Sequence, residues 1–86
     1  MMEHRETPAL PVMPLSVALV GQTVTFLGVD GGNGITHRLA EMGLTPGERL
    51  EVVNRGPGPF IVDVRGTRLV LGQGMVDRIQ VRTVME

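Results

Sequence analysis

Apolar and polar residues alternate with period two along most of the chain, and the one clear change of period marks a helix. Residues 22–30 are rich in β-branched side chains, with Val24 and Phe26 on one face and Thr23 and Thr25 on the other. That pattern predicts a half-buried strand. From Ile35 the apolar positions spread out: Ile35, Leu39 and Met42 stand at i, i+4 and i+7, one stripe of an amphipathic helix. The helix is expected from Gly34 or Ile35 to Met42, with Asn33 as its N-cap. His37 and Glu41 fall on its other side, four residues apart. Gly43 is placed to end it in a left-handed cap, with Leu44 folding back on Leu39 and Pro46 barring any continuation.

Period two then returns. Leu50 and Val52 alternate with Arg49 and Glu51, and Phe60, Val62 and Val64 alternate with Ile61, Asp63 and Arg65. Leu69 and Leu71 alternate with Arg68 and Val70, and Ile79 and Val81 with Arg78, Gln80 and Arg82. Gly56-Pro57-Gly58-Pro59 reads as a loop, Arg65-Gly66 as a tight hairpin turn, and Met75-Val76-Asp77 as a single helical turn. Five short strands with one helix between the first two predict a mainly β protein of antiparallel strands about one core. A partly open barrel leaves such a chain the fewest exposed edges. Residues 1–13 carry Pro8 and Pro11 and no apolar periodicity, so they are expected to form a flexible tail, with residues 14–86 as the folded domain. Leu15 to Leu19 is expected to make one helical turn.

Composition narrows the function. A chain of 86 residues has room for one domain, and one that buries only about 60% of its unfolded surface. There is no cysteine, which removes disulfides, thiolate metal sites and thiol chemistry. The one serine, Ser16, has no histidine beside it, and the acids fall singly on polar faces, so no catalytic constellation is expected. All eight basic residues are Arg, yet the net charge is −1 and there are two aromatic residues, which argues against a nucleic-acid partner. The longest apolar stretch, Val17 to Val20, is far short of the ~20 residues of a membrane span, and no basic segment leads into an apolar one as in a secretory signal. Gly31-Gly32-Asn33-Gly34 precedes a helix but lacks the Gly-Lys-Ser/Thr ending of a phosphate loop. His37 and Glu41 offer two metal ligands on one helix face, where a structural zinc usually takes four. No metal site is assigned and no cofactor expected, beyond weak divalent metal binding.

At the helix the chain resembles a known family. Arg38-Leu39-Ala40-Glu41-Met42-Gly43-Leu44-Thr45-Pro46-Gly47 is similar to the R-L-x-x-M-G-L-x-P-G signature of FeoA proteins. Pro14-Leu15-Ser16, Gly21, the 56–59 loop, Arg65-Gly66-Thr67-Arg68-Leu69, Leu71-Gly72, Met75-Val76 and Ile79-Gln80-Val81 extend the likeness over residues 14–83. The resemblance implies an SH3-like small β-barrel with a helix inserted after the first strand. It implies a cytoplasmic, non-enzymatic accessory of bacterial ferrous iron uptake. Such a protein binds and regulates the cytoplasmic, GTP-binding part of the membrane transporter FeoB and touches the membrane only through that partner. The partner-binding residues expected on this basis are Arg38, Leu39, Met42, Leu44, Pro57 and Pro59, with a structural role in helix packing weighed against docking for the apolar ones. The family is also described as binding transition metals, and this sequence offers no recognisable ligand set for one. A second reading makes the chain a metal-binding or metal-sensing module acting through His37 and Glu41. The open edges of a small barrel also leave room for copies of the chain to pair.

Overall fold

A computed structural model describes residues 11–31 and 33–84. The elements follow in the order β1 (Val12–Pro14), a 3-10 turn (Leu15–Val17), β2 (Thr23–Val29), α1 (Asn33–Glu41), β3 (Arg49–Asn54), β4 (Phe60–Val64), β5 (Thr67–Leu71), α2 (Gln73–Val76) and β6 (Ile79–Thr83). All six strands join one antiparallel sheet in the order β1-β6-β2-β3-β4-β5.

The inward positions are the ones the alternation picks out. Val24, Phe26, Leu50, Val52, Phe60, Val62, Val64, Leu69, Leu71, Ile79 and Val81 are all buried, joined by Leu15, Ala18, Leu39, Leu44 and Val76 from the turns and helices. One short helix and two single turns cannot cover a flat six-stranded sheet, so the sheet curls around its own apolar face. Two irregularities in register assist the curl, between Phe26 and Gly28 on β2 and between Val52 and Asn54 on β3. Extra residues of this kind bend a strand and sharpen its twist. No polar side chain is buried among the described residues, so apolar burial holds the core.

One boundary differs from the sequence-based expectation. Val12 and Met13, assigned to a flexible tail, belong to β1, which pairs with β6 through Val12↔Arg82, Met13↔Val81 and Pro14↔Gln80. The sheet therefore has six strands rather than five. Residues 1–10 of the expected tail lie outside the described residues. So does the side chain of Asn33, expected to cap α1; the helix itself begins at Asn33.

The exit of α1 follows its sequence closely. Gly43 N–H donates to the Ala40 carbonyl at 3.0 Å, and Leu44 N–H donates to the Leu39 carbonyl at 2.8 Å. These are the two reverse bonds of a Schellman ending, and they require a left-handed residue at Gly43, where φ is 95°. A Cβ added at Gly43 would meet no atom within 4 Å, so the cost of a side chain there is purely conformational. Gly43→Ala is expected to lower stability by about 1 kcal/mol. In thermal melts that is a midpoint drop of about 4–8 °C. A melt unchanged within a degree or so would mean that the helix does not end in this motif.

Candidate functional surface

The expected contact residues divide when placed on the fold. Leu39 is 0% exposed and Leu44 is 1% exposed. Both belong to the core and offer a partner no surface, so their place among the docking residues is corrected. The helix stripe and its reverse turn drive them inward, and their role is to seat α1 on the sheet. Met42, the third member of the stripe, is 41% exposed instead of buried. It lies one residue past the end of α1, where the chain is already turning through Gly43, and so it leaves the inward face. Arg38 is exposed in the last turn of α1, one helical turn before Met42. The Met42 N–H still donates to the Arg38 carbonyl at 3.3 Å, which closes a last helical turn, so Arg38 and Met42 stand one turn apart as an exposed basic and apolar pair. The cation also lies at the end of the helix that the backbone dipole makes favourable for it.

Pro57 and Pro59 are exposed too, but elsewhere. β3 begins just after the α1 exit turn and ends at the 55–59 loop, so its six residues, about 20 Å of strand, separate the two. The candidates thus form two surfaces at opposite ends of the strands. The α1 end also gathers the β4–β5 hairpin tip. There the Arg65 guanidinium donates from Nε to Glu48 Oε1 at 3.1 Å and approaches Glu48 Oε2 through Nη2 at 2.9 Å. Arg65 is 76% exposed, so this pair positions the tip more than it stabilises the fold. The glycine-rich connection into α1 lies at the same end. Asp30 N–H donates to the Arg78 carbonyl at 2.7 Å, and the Arg78 side chain passes so close to Gly31 that a Cβ there would be 3.0 Å from Nη2. The Arg78 side chain can give way, and it is the φ of 119° at Gly31 that accounts for a glycine at this position.

At the other end the 55–59 loop is pinned from both sides. Asn54 Nδ2 donates to the Pro59 carbonyl at 2.7 Å, and Arg55 Nη2 donates to the Ser16 carbonyl at 2.9 Å. The second bond brings the Pro57 and Pro59 loop beside the 3-10 turn and the chain that follows it. There Val17, Leu19 and Val20 are exposed. Sequence reasoning did not select these three as contacts. The signal was present: they make up most of the longest apolar run, which lacks the alternation of a strand.

His37 and Glu41 are both exposed on α1, one turn apart. No group of three or more His, Asp or Glu side chains converges among the described residues. Two exposed ligands fall short of the four that close a structural zinc site. No helix among the described residues is long and apolar enough to cross a membrane.

Comparison with known proteins adds a relationship to this geometry. A family model described as the FeoA domain matches residues 13–83. The chain is 34% identical over 68 residues to a protein of Methanocaldococcus jannaschii named for Fe(2+) transport, covering 79% of this chain and 83% of that one. Among solved structures, one described as the iron uptake regulatory protein FeoA superposes with a TM-score of 0.77 at 36% identity, over 87% of this chain and 100% of the other. A zinc complex of Stenotrophomonas maltophilia FeoA, described as an SH3 domain protein, superposes with a TM-score of 0.68 at 31% identity, over 80% and 88% of the two chains.

Proposed function

The chain belongs to the FeoA family, and on that footing we propose that it is a cytoplasmic accessory protein of ferrous iron transport that binds the cytoplasmic part of a FeoB-type transporter and regulates uptake through that contact. The names of its relatives support the transport role: one is named for Fe(2+) transport, and the Stenotrophomonas protein is put forward as a ferrous iron transport activating factor. The observation that carries the contact is the division within the signature segment. Leu39, Gly43 and Leu44 are accounted for by packing and helix termination. Arg38 and Met42 are exposed, and nothing in the packing of the core calls for them. An exposed arginine beside an exposed methionine suits an acidic and apolar patch on a partner: the guanidinium supplies directional charged bonds and the thioether adaptable contact.

The test is a titration of the isotope-labelled protein with the purified cytoplasmic domain of the transporter, with and without a GTP analogue. Arg38→Glu is expected to weaken binding at least tenfold, because it sets a like charge against the partner's acidic patch. Its stability is expected to fall by no more than about 1–2 kcal/mol, the cost of setting a negative charge at the negative end of the helix dipole. Unchanged affinity in the folded variant would remove the α1 face from the contact.

A further inference from the structure

The two ends of the sheet differ. β1 is three residues long, ends in Pro14 and follows Pro11, features that blunt an edge. β5 has none of these defences. It is five residues long and contains no proline, its register with β4 is unbroken from Phe60↔Leu71 to Val64↔Thr67, and its inward side chains are Leu69 and Leu71. The hairpin fixes which of its backbone groups are free. Arg65 and Gly66 have φ of 55° and 87°, the two positive values of a type I′ turn, so Val64 and Thr67 form a hydrogen-bonded pair. Bonded and non-bonded pairs alternate along the ladder, so Leu69 and Leu71 also bond to β4, while the N–H and C=O groups of Arg68 and Val70 point away from it. No strand lies beyond β5 among the described residues, and Val70 is 66% exposed.

We propose that β5 is a dimerisation edge, which pairs antiparallel with β5 of a second copy of this chain about a two-fold axis at Leu69. The strand is complementary to itself in that register. Arg68 and Val70 of one copy face Val70 and Arg68 of the other, so the outward-pointing backbone groups of both copies meet. Leu69 faces Leu69 on the buried side, which continues the apolar face from one sheet into the next. No two arginines stand directly opposite, and each Arg68 has Asp63 across from it on its own β4, so carboxylates accompany the two guanidinium groups into the joint sheet. A single strand edge buries less than the area of a standard stable interface, which makes the dimer weak and concentration-dependent.

The test uses the full chain in sedimentation velocity from about 10 μM to 1 mM, the range over which a weak dimer forms. The weight-average mass is expected to rise towards that of a dimer. Amide exchange at Arg68 and Val70 is expected to slow at least tenfold across the series, while exchange at Val12 on the opposite edge stays constant. Val70→Pro removes an N–H that faces away from β4, and it is expected to abolish association. Val70→Lys serves where the proline variant does not fold, and it is expected to raise the dissociation constant at least tenfold. A monomer throughout the range would overturn the proposal. So would association that leaves exchange at Arg68 and Val70 unchanged, as pairing through the Val17, Leu19 and Val20 surface would. Undiminished association of the Val70→Lys protein would overturn it equally.

Discussion

Phe26→Ala is expected to remove about 3–5 kcal/mol of stability. Phe26 is a fully buried side chain of β2 and the largest such residue in the core. β2 pairs on one side with β3 and on the other with β6, so a cavity there lies beneath the middle of the sheet. Natural domains are stable by about 5–15 kcal/mol, and small ones lie toward the lower end of that range. The variant should therefore lose a large share of its stability, visible in urea unfolding as a much lower midpoint at an unchanged slope. A loss below about 1 kcal/mol would place Phe26 outside a close-packed interior.

Leu39→Ala comes next, with an expected loss of about 2–5 kcal/mol. Its interest lies in its neighbour. Leu39 is fully buried and Arg38 is exposed, although both stand in the same signature segment. The two changes should therefore separate cleanly. Leu39→Ala should loosen α1 from the sheet and lower the unfolding midpoint. Below that midpoint, affinity for the transporter domain should fall only as far as α1 is disordered, whereas Arg38→Glu should weaken binding with a much smaller fall in the midpoint. Hydrogen exchange across residues 35–41 checks the first expectation, since the helix amides would lose protection before those of β2 and β3. A Leu39→Ala protein as stable as the parent, with binding lost, would reverse the assignment and make Leu39 a contact.

Features that rest on short-range chemistry were readable from the residues themselves. The end of α1 at Gly43 and Leu44, the tight turn at Arg65-Gly66 and the inward sets Phe60, Val62, Val64 and Leu69, Leu71 all follow from neighbours in the chain. What escaped depends on distant partners. β1 is three residues long, preceded by Pro11 and ending in Pro14, with Val12 exposed and Met13 half-buried, and only the β6 ladder makes it a strand. No local pattern announces that ladder. Met42 misled in the opposite way: it stands at the right interval for the apolar stripe, but the helix ends one residue before it. Of the candidate surface, the exposure of Arg38 was legible from its place beside the stripe. That Pro57 and Pro59 lie a strand's length away from it was not, because spacing in sequence says nothing about which end of a sheet a loop occupies.

The pairing of β6 with both β1 and β2 also bears on how quickly the chain finds its fold. Val24 lies opposite Thr83, and Val12 opposite Arg82, so residues near the two limits of the domain must meet before the last strand can be zipped. By contrast, β3, β4 and β5 follow one another as local hairpins. Contacts so remote in sequence slow folding, because closing the intervening chain costs entropy before the ladder compensates for it. The same adjacency lets residues 11 and 84 be bridged by a short linker and new ends opened in the exposed 55–59 loop. In such a circular permutant the β1–β6 pairing becomes a local hairpin and the β3–β4 pairing the most remote, so the strand pair that closes last should change while the strand order of the sheet stays the same.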